Sequence, residues 1–193
     1  GAVFLLACLG SAMFPAMQWI QDQNLALFVI LMGVAANLAL AWWASIQTVA
    51  SIHTAISILA LLILPRSPLL FSIIGGISVF STFLSYRSRW EFHLLQAVSV
   101  FFLANLLYGI HYGAPGETVD PAIRWLGLFF TGTIAGLALL LHYRKNYQGQ
   151  AFERWPFLSH IVTWATAALG FALYSTGSRY NTIILFVLAL LVY

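Results

Sequence analysis

Charge is what this sequence has least of. Of its 193 residues only 7% are charged, made up of eight Lys and Arg and five Asp and Glu, against 62% hydrophobic. Soluble domains carry about 25% charged residues. The deficit, with a mean hydropathy of +0.92, excludes a soluble globular domain, a disordered tail and a coiled coil. Lysine occurs once, at Lys145 in a polar stretch, which argues against a retinal Schiff base inside a bundle. Cysteine also occurs once, at Cys8. A single thiol excludes an internal disulfide and any CxxC zinc or redox motif; in an apolar run it reads as a small core residue. The sequence has no GxSxG elbow, no GxxxxGK[ST] or GxGxxG loop and no HExxH, so the usual local signatures of hydrolases, nucleotide binders and zincins are missing. The formal charge of +3 forms no basic stripe, and no nucleic-acid partner is expected.

What is present is a chain of apolar runs, and the bilayer is its expected partner. A hydrocarbon core about 30 Å thick takes about 20 apolar residues per helical crossing. The sequence predicts an all-α, polytopic membrane bundle of about eight helices, at 1–20, 25–43, 47–64, 69–85, 92–112, 122–143, 156–174 and a truncated 181–193. Pro15 is expected to kink the first, as membrane helices tolerate. Pro65 and Pro68 end the hairpin before them, because proline cannot continue a helix and restricts its predecessor. Gly113, Pro115, Gly116 and Pro121 punctuate the loop before the sixth crossing.

Two further patterns follow this layout. Trp19, Trp42, Trp43, Trp90, Trp125 and Trp155 fall at predicted helix ends, with Trp164 alone deep, as an interfacial aromatic belt requires. The loops after helices 2, 4 and 6 carry Arg87, Arg89, Arg144, Lys145 and Arg154, while the opposite loops carry Arg66, Arg124 and Arg179. The excess predicts that the first set is cytoplasmic. A faint internal echo accompanies it. Tyr86-Arg87, Arg89-Trp90-Glu91-Phe92 and Leu107-Tyr108 recur as Tyr143-Arg144, Arg154-Trp155-Pro156-Phe157 and Leu173-Tyr174, consistent either with related hairpins or with two belted helices that each follow a basic loop. Residues 1–193 read as a single transmembrane domain. The closing run 181–193 spans only about 20 Å as a helix, so the chain is expected to be a piece of a longer polypeptide.

Small residues mark where membrane helices meet, because lipid tails are as apolar as leucine. The fourth helix carries Ser72, Gly75, Ser78, Thr82 and Ser85 on one face. The sixth carries the GxxxG of Gly132 and Gly136; the seventh carries Ser159, Thr163, Thr166 and Gly170; the second carries Gly33 and Asn37. Each reads as helix packing, with a polar pathway as the alternative. Asn37, Gln96 and Asn105 are candidates for hydrogen bonds between helices.

Ionisable groups within a membrane are costly and mark function. Asp22, Glu91, Glu117, Asp120 and Glu153 all fall in predicted loops, leaving no mid-membrane carboxylate to bind sodium or relay a proton. Histidine is the remaining candidate. His53, His93, His142 and His160 lie toward the predicted cytoplasmic side and His111 toward the other. Imidazole ligates haem and metals, so paired histidines holding a b-type haem form one reading; interfacial histidines that merely hydrogen-bond form the other. The sequence is expected to encode a non-catalytic multi-pass module, a subunit, anchor or sensor segment working with other membrane subunits or further domains. A transporter or channel for a neutral or lipophilic solute, and a haem electron carrier, are the alternatives.

Overall fold

The computed structural model describes residues 2–13, 20–44, 46–112, 120–146 and 154–175. They form seven helices and, among the described residues, no strand: α1 (Ala2–Met13), α2 (Gln23–Trp43), α3 (Gln47–Leu62), α4 (Pro68–Ser88), α5 (Glu91–His111), α6 (Pro121–Asn146) and α7 (Arg154–Ser175). Five of them, α2, α4, α5, α6 and α7, are long and apolar enough to cross a membrane. By length and composition these are the spans of an integral membrane protein. The α3 helix is apolar but only 16 residues long, about 24 Å at 1.5 Å per residue, shorter than the 47–64 crossing read from sequence. The Pro15 kink, the turn around Gly113 to Gly116 and the truncated eighth segment 181–193 lie outside the described residues.

Helix starts follow local chemistry. Asp22 caps α2 by accepting from the Leu25 amide at 2.8 Å. Ser67 caps α4 by accepting from the Leu70 amide at 3.2 Å, with Pro68 in the first turn. Asp120 accepts from the Ala122 amide at 2.8 Å ahead of α6, again with a proline following. In each case a short polar side chain satisfies an amide that the helix cannot, and in α4 and α6 proline fills a position that needs no amide proton.

The helices group into two compact units, Gly1–Leu64 and Pro65–Tyr193. In the first, α2 packs against both α1 and α3. Gly33 lets α1 approach closely: a Cβ there would lie 3.0 Å from Leu5 Cδ1 and 3.4 Å from Cys8 Sγ. Cys8 is buried and forms no disulfide among the described residues.

In the second unit α5 packs on α4 and α7, and α6 packs on the same two helices. The four helices therefore form a ring in the order α4, α5, α7, α6. Its core is Leu94, Val98, Phe101, Phe130, Ile134, Ala138 and Leu141. Toward the Ser67 end of α4 an aromatic cluster takes over, with Phe71 4.7 Å from Tyr108, 6.1 Å from Tyr174 and edge-on to Phe130 at 6.4 Å. Outside, the helices remain apolar: Trp125, Phe129, Ile110 and Leu140 are all exposed. A helix that is hydrophobic all round belongs in a core or a membrane.

Candidate functional site

Three histidines each tie one helix to the next. His53 on α3 lies with Nδ1 3.1 Å from the Asn37 Oδ1 on α2. His93 on α5 lies with Nε2 3.0 Å from the Ser81 hydroxyl on α4. His142 on α6 lies with Nε2 3.3 Å from the Ser159 hydroxyl on α7. The partners are 16, 12 and 17 residues apart in the chain, so each contact closes a hairpin between consecutive helices. His93 and His142 are buried, and a buried imidazole without a partner would be costly among apolar neighbours.

His160 meets His142. Their rings stand edge to face with centroids 5.1 Å apart. The Trp164 indole N–H donates to His160 Nε2 at 3.0 Å. A neutral imidazole has one lone pair, and here the indole occupies it, which places the proton on Nδ1. The second ring is constrained in the same way. Ser159 has one hydroxyl proton, and its Oγ lies 2.9 Å from the Pro156 carbonyl. When the hydroxyl donates there, it accepts from His142 Nε2–H.

This arrangement decides how the residues suit a haem. Axial ligation needs a lone pair on each of two rings, directed across the macrocycle. His160 offers its lone pair to Trp164, His142 and His160 are in ring contact with each other, and His93 directs Nε2 at Ser81. The histidines do not fit a bis-imidazole haem site. Among the described residues no three His, Cys, Asp or Glu side chains come together as metal ligands.

The small-residue stripes divide into two kinds. On α4, Gly75, Ser78, Thr82 and Ser85 are buried and Ser72 is half-buried. A Cβ at Gly75 would collide with the Phe130 ring. On α7, Ser159, Thr163, Thr166 and Gly170 are buried, and a Cβ at Gly170 would collide with Thr131. The stripe hydroxyls turn back to their own helices: Ser72 donates to Pro68 O at 2.9 Å, Ser78 to Ile74 O at 2.9 Å, Thr82 to Ser78 O at 2.8 Å and Thr163 to Ser159 O at 2.6 Å.

The α6 face differs from the sequence reading. Gly132 and Gly136 are exposed, and a Cβ at Gly136 would meet nothing within 4 Å. The inward face of α6 runs instead through Ile123, Gly127, Phe130, Thr131, Ile134 and Ala138. The close approach is made at Gly127, where a Cβ would collide with the Tyr174 ring. The GxxxG spacing marks a smooth face but carries no information on whether that face turns inward.

One polar cluster was only partly legible. Asn105 on α5 is fully buried, accepts from the Tyr174 hydroxyl at 3.1 Å and donates to Thr131 Oγ1 at 3.4 Å. Asn105 was a sequence candidate for such a bond. Tyr174 and Thr131 carry no local signal, since an interfacial tyrosine and a helix threonine are common. Among the described residues no Lys, Arg, Asp or Glu is buried.

No known protein family, curated protein or solved structure matches this chain. The functional reading therefore rests on its own residues.

Proposed function

We propose that the chain is a non-catalytic multi-pass module of a larger membrane assembly. One observation carries the reading: among the described residues most buried polar side chains bond to one another or to their own backbone, no Lys, Arg, Asp or Glu is buried, and the polar atoms left over at Asn37 Nδ2, the Tyr108 hydroxyl and His160 Nδ1 are neutral and lie on different helices. Asn105 with Tyr174 and Thr131, His93 with Ser81, and His142 with Ser159 hold helices together. A transport site needs polar groups left over for a solute or ion. The stripe hydroxyls of Ser72, Ser78, Thr82 and Thr163 donate to carbonyls of their own helices, so the transporter reading draws less support.

The outward face of α6 adds to the case. Trp125, Phe129, Gly132, Gly136 and Leu140 recur every three or four residues and are all exposed, forming a smooth strip framed by large side chains. Such a strip suits another helix, because small residues let backbones approach and gain dispersion contacts.

The test is extraction of the chain from its native membrane in mild detergent, followed by native mass measurement. A fixed stoichiometric assembly that Gly136→Ile weakens, with an unchanged melting temperature for the isolated chain, supports the module. Flux of a neutral solute into liposomes containing this chain alone would overturn it.

A further inference from the structure

The end of the second unit where α4 starts and α5 finishes holds a polar atom that the fold leaves over. Tyr108 is fully buried near the end of α5. Its ring stacks on Tyr112 at 6.0 Å and tilts against Phe71 at 4.7 Å. Its hydroxyl is buried without a hydrogen-bond partner. A phenol so placed loses its bond to water and gains none in return, which is costly in an apolar interior.

The groups that the hydroxyl faces show what is missing. It is turned toward the Ser67 backbone and the Arg66 side chain. Ser67 is the N-cap of α4, and its own hydroxyl is taken up by the Leu70 amide at 3.2 Å. The Leu69 amide, one residue earlier, lies in the first turn, where no carbonyl of the helix reaches it. A helix of 21 residues adds its positive end at the same place. Arg66 is exposed and enters no ion pair among the described residues. Its backbone is fixed, because the Tyr112 hydroxyl donates to the Arg66 carbonyl at 3.1 Å and ties the turn to the end of α5. Asp120, ahead of α6, spends its Oδ1 on the Ala122 and Ile123 amides at 2.8 and 3.4 Å. The orphaned hydroxyl therefore looks onto donors and a cation, and an anionic acceptor completes the set.

We propose that the start of α4 and the end of α5 bind a phosphate group, held by Arg66, the Leu69 amide and the Tyr108 hydroxyl. Phosphate suits this set better than a carboxylate, because its oxygens point in tetrahedral directions and accept from a guanidinium, an amide and a phenol together. Two sources bring that group to this depth. One is a phospholipid headgroup, since tyrosines at the ends of apolar helices lie at the interface; the other is a free phosphate ion from the aqueous phase. The proposal does not depend on the module reading.

The test uses the full chain in detergent after delipidation. Inorganic phosphate is titrated with the melting temperature as readout, and phosphatidylglycerol is titrated separately by native mass spectrometry. Saturable binding of at least one probe is expected, and the probe that binds names the source. Arg66→Gln and Tyr108→Phe are each expected to weaken that binding about ten-fold, the low end of what a hydrogen bond to a charged group contributes. Arg87→Gln, at the other end of α4, is expected to leave it unchanged. Tyr108→Phe removes a hydroxyl that has no partner in the protein, so the melting temperature of this variant without either probe is expected to match or exceed the wild type. Failure of both probes to bind, or binding that Arg66→Gln or Tyr108→Phe leaves undiminished, would overturn the proposal. A lower melting temperature for delipidated Tyr108→Phe would overturn it as well, since the hydroxyl would then have its partner within the chain.

Discussion

Tyr174 donates a hydrogen bond to Asn105 at 3.1 Å across 69 residues of sequence. The bond ties the end of α7 to the middle of α5, and the Asn105 amide passes the connection to Thr131 on α6. Three helices are thus joined by neutral groups. An amide in an apolar interior must find partners, and these partners are unique to one arrangement of the helices.

That relationship is measurable as a coupling. Tyr174→Phe and Asn105→Leu, alone and together, form a double-mutant cycle. Interhelical hydrogen bonds in membrane proteins average about 0.6 and reach about 1.7 kcal/mol. The expected coupling between these two residues lies in that range, read by reversible unfolding in detergent. Strict additivity would mean that the bond does not form.

The histidine ties differ from an exposed histidine. His93→Ala removes the partner of Ser81 and opens a cavity at a fully buried position. The expected loss is about 2–4 kcal/mol, combining an unmade hydrogen bond with missing packing. His111→Ala, at an exposed position, is expected to fall within about 0.5 kcal/mol of wild type. Unfolding midpoints of the two variants, measured side by side, check the contrast.

Adjacent glycines on α4 give a control within one helix. Gly75→Ala forces a methyl group into the Phe130 ring, whereas Gly76 has nothing within 4 Å of its added Cβ. Overpacking costs about 1–3 kcal/mol, and alanine in place of an exposed helical glycine gains about 0.5–1 kcal/mol. Gly75→Ala is therefore expected to lower the melting temperature and Gly76→Ala to raise it. The reverse order would place α4 in a different rotation about its axis.

Haemin provides a chemical check on the histidines. With the lone pair of His160 taken by Trp164 at 3.0 Å, added haemin is expected to give no low-spin bis-histidine spectrum with the purified chain. Appearance of that spectrum, and its loss in a His142→Ala and His160→Ala double variant, would show that the imidazoles reorient to ligate iron.

The sequence by itself determined the solvent of this protein and most of its helix limits. A 7% charge content excludes a water-facing surface, and Pro65, Pro68 and Pro121 marked the breaks before α4 and α6, which the structure starts at Pro68 and Pro121. These are local effects, decided within a few residues by capping and by the missing amide of proline. Tertiary structure alone decided which way each helix turns. Gly127 rather than Gly132 or Gly136 meets Tyr174, and Ser81 rather than another hydroxyl meets His93. In water, burial of apolar surface separates an inner from an outer face and leaves a periodic trace in the sequence. In a bilayer both faces are apolar, so rotation is set by close packing and by a few neutral hydrogen bonds, which become visible only when the helices are side by side.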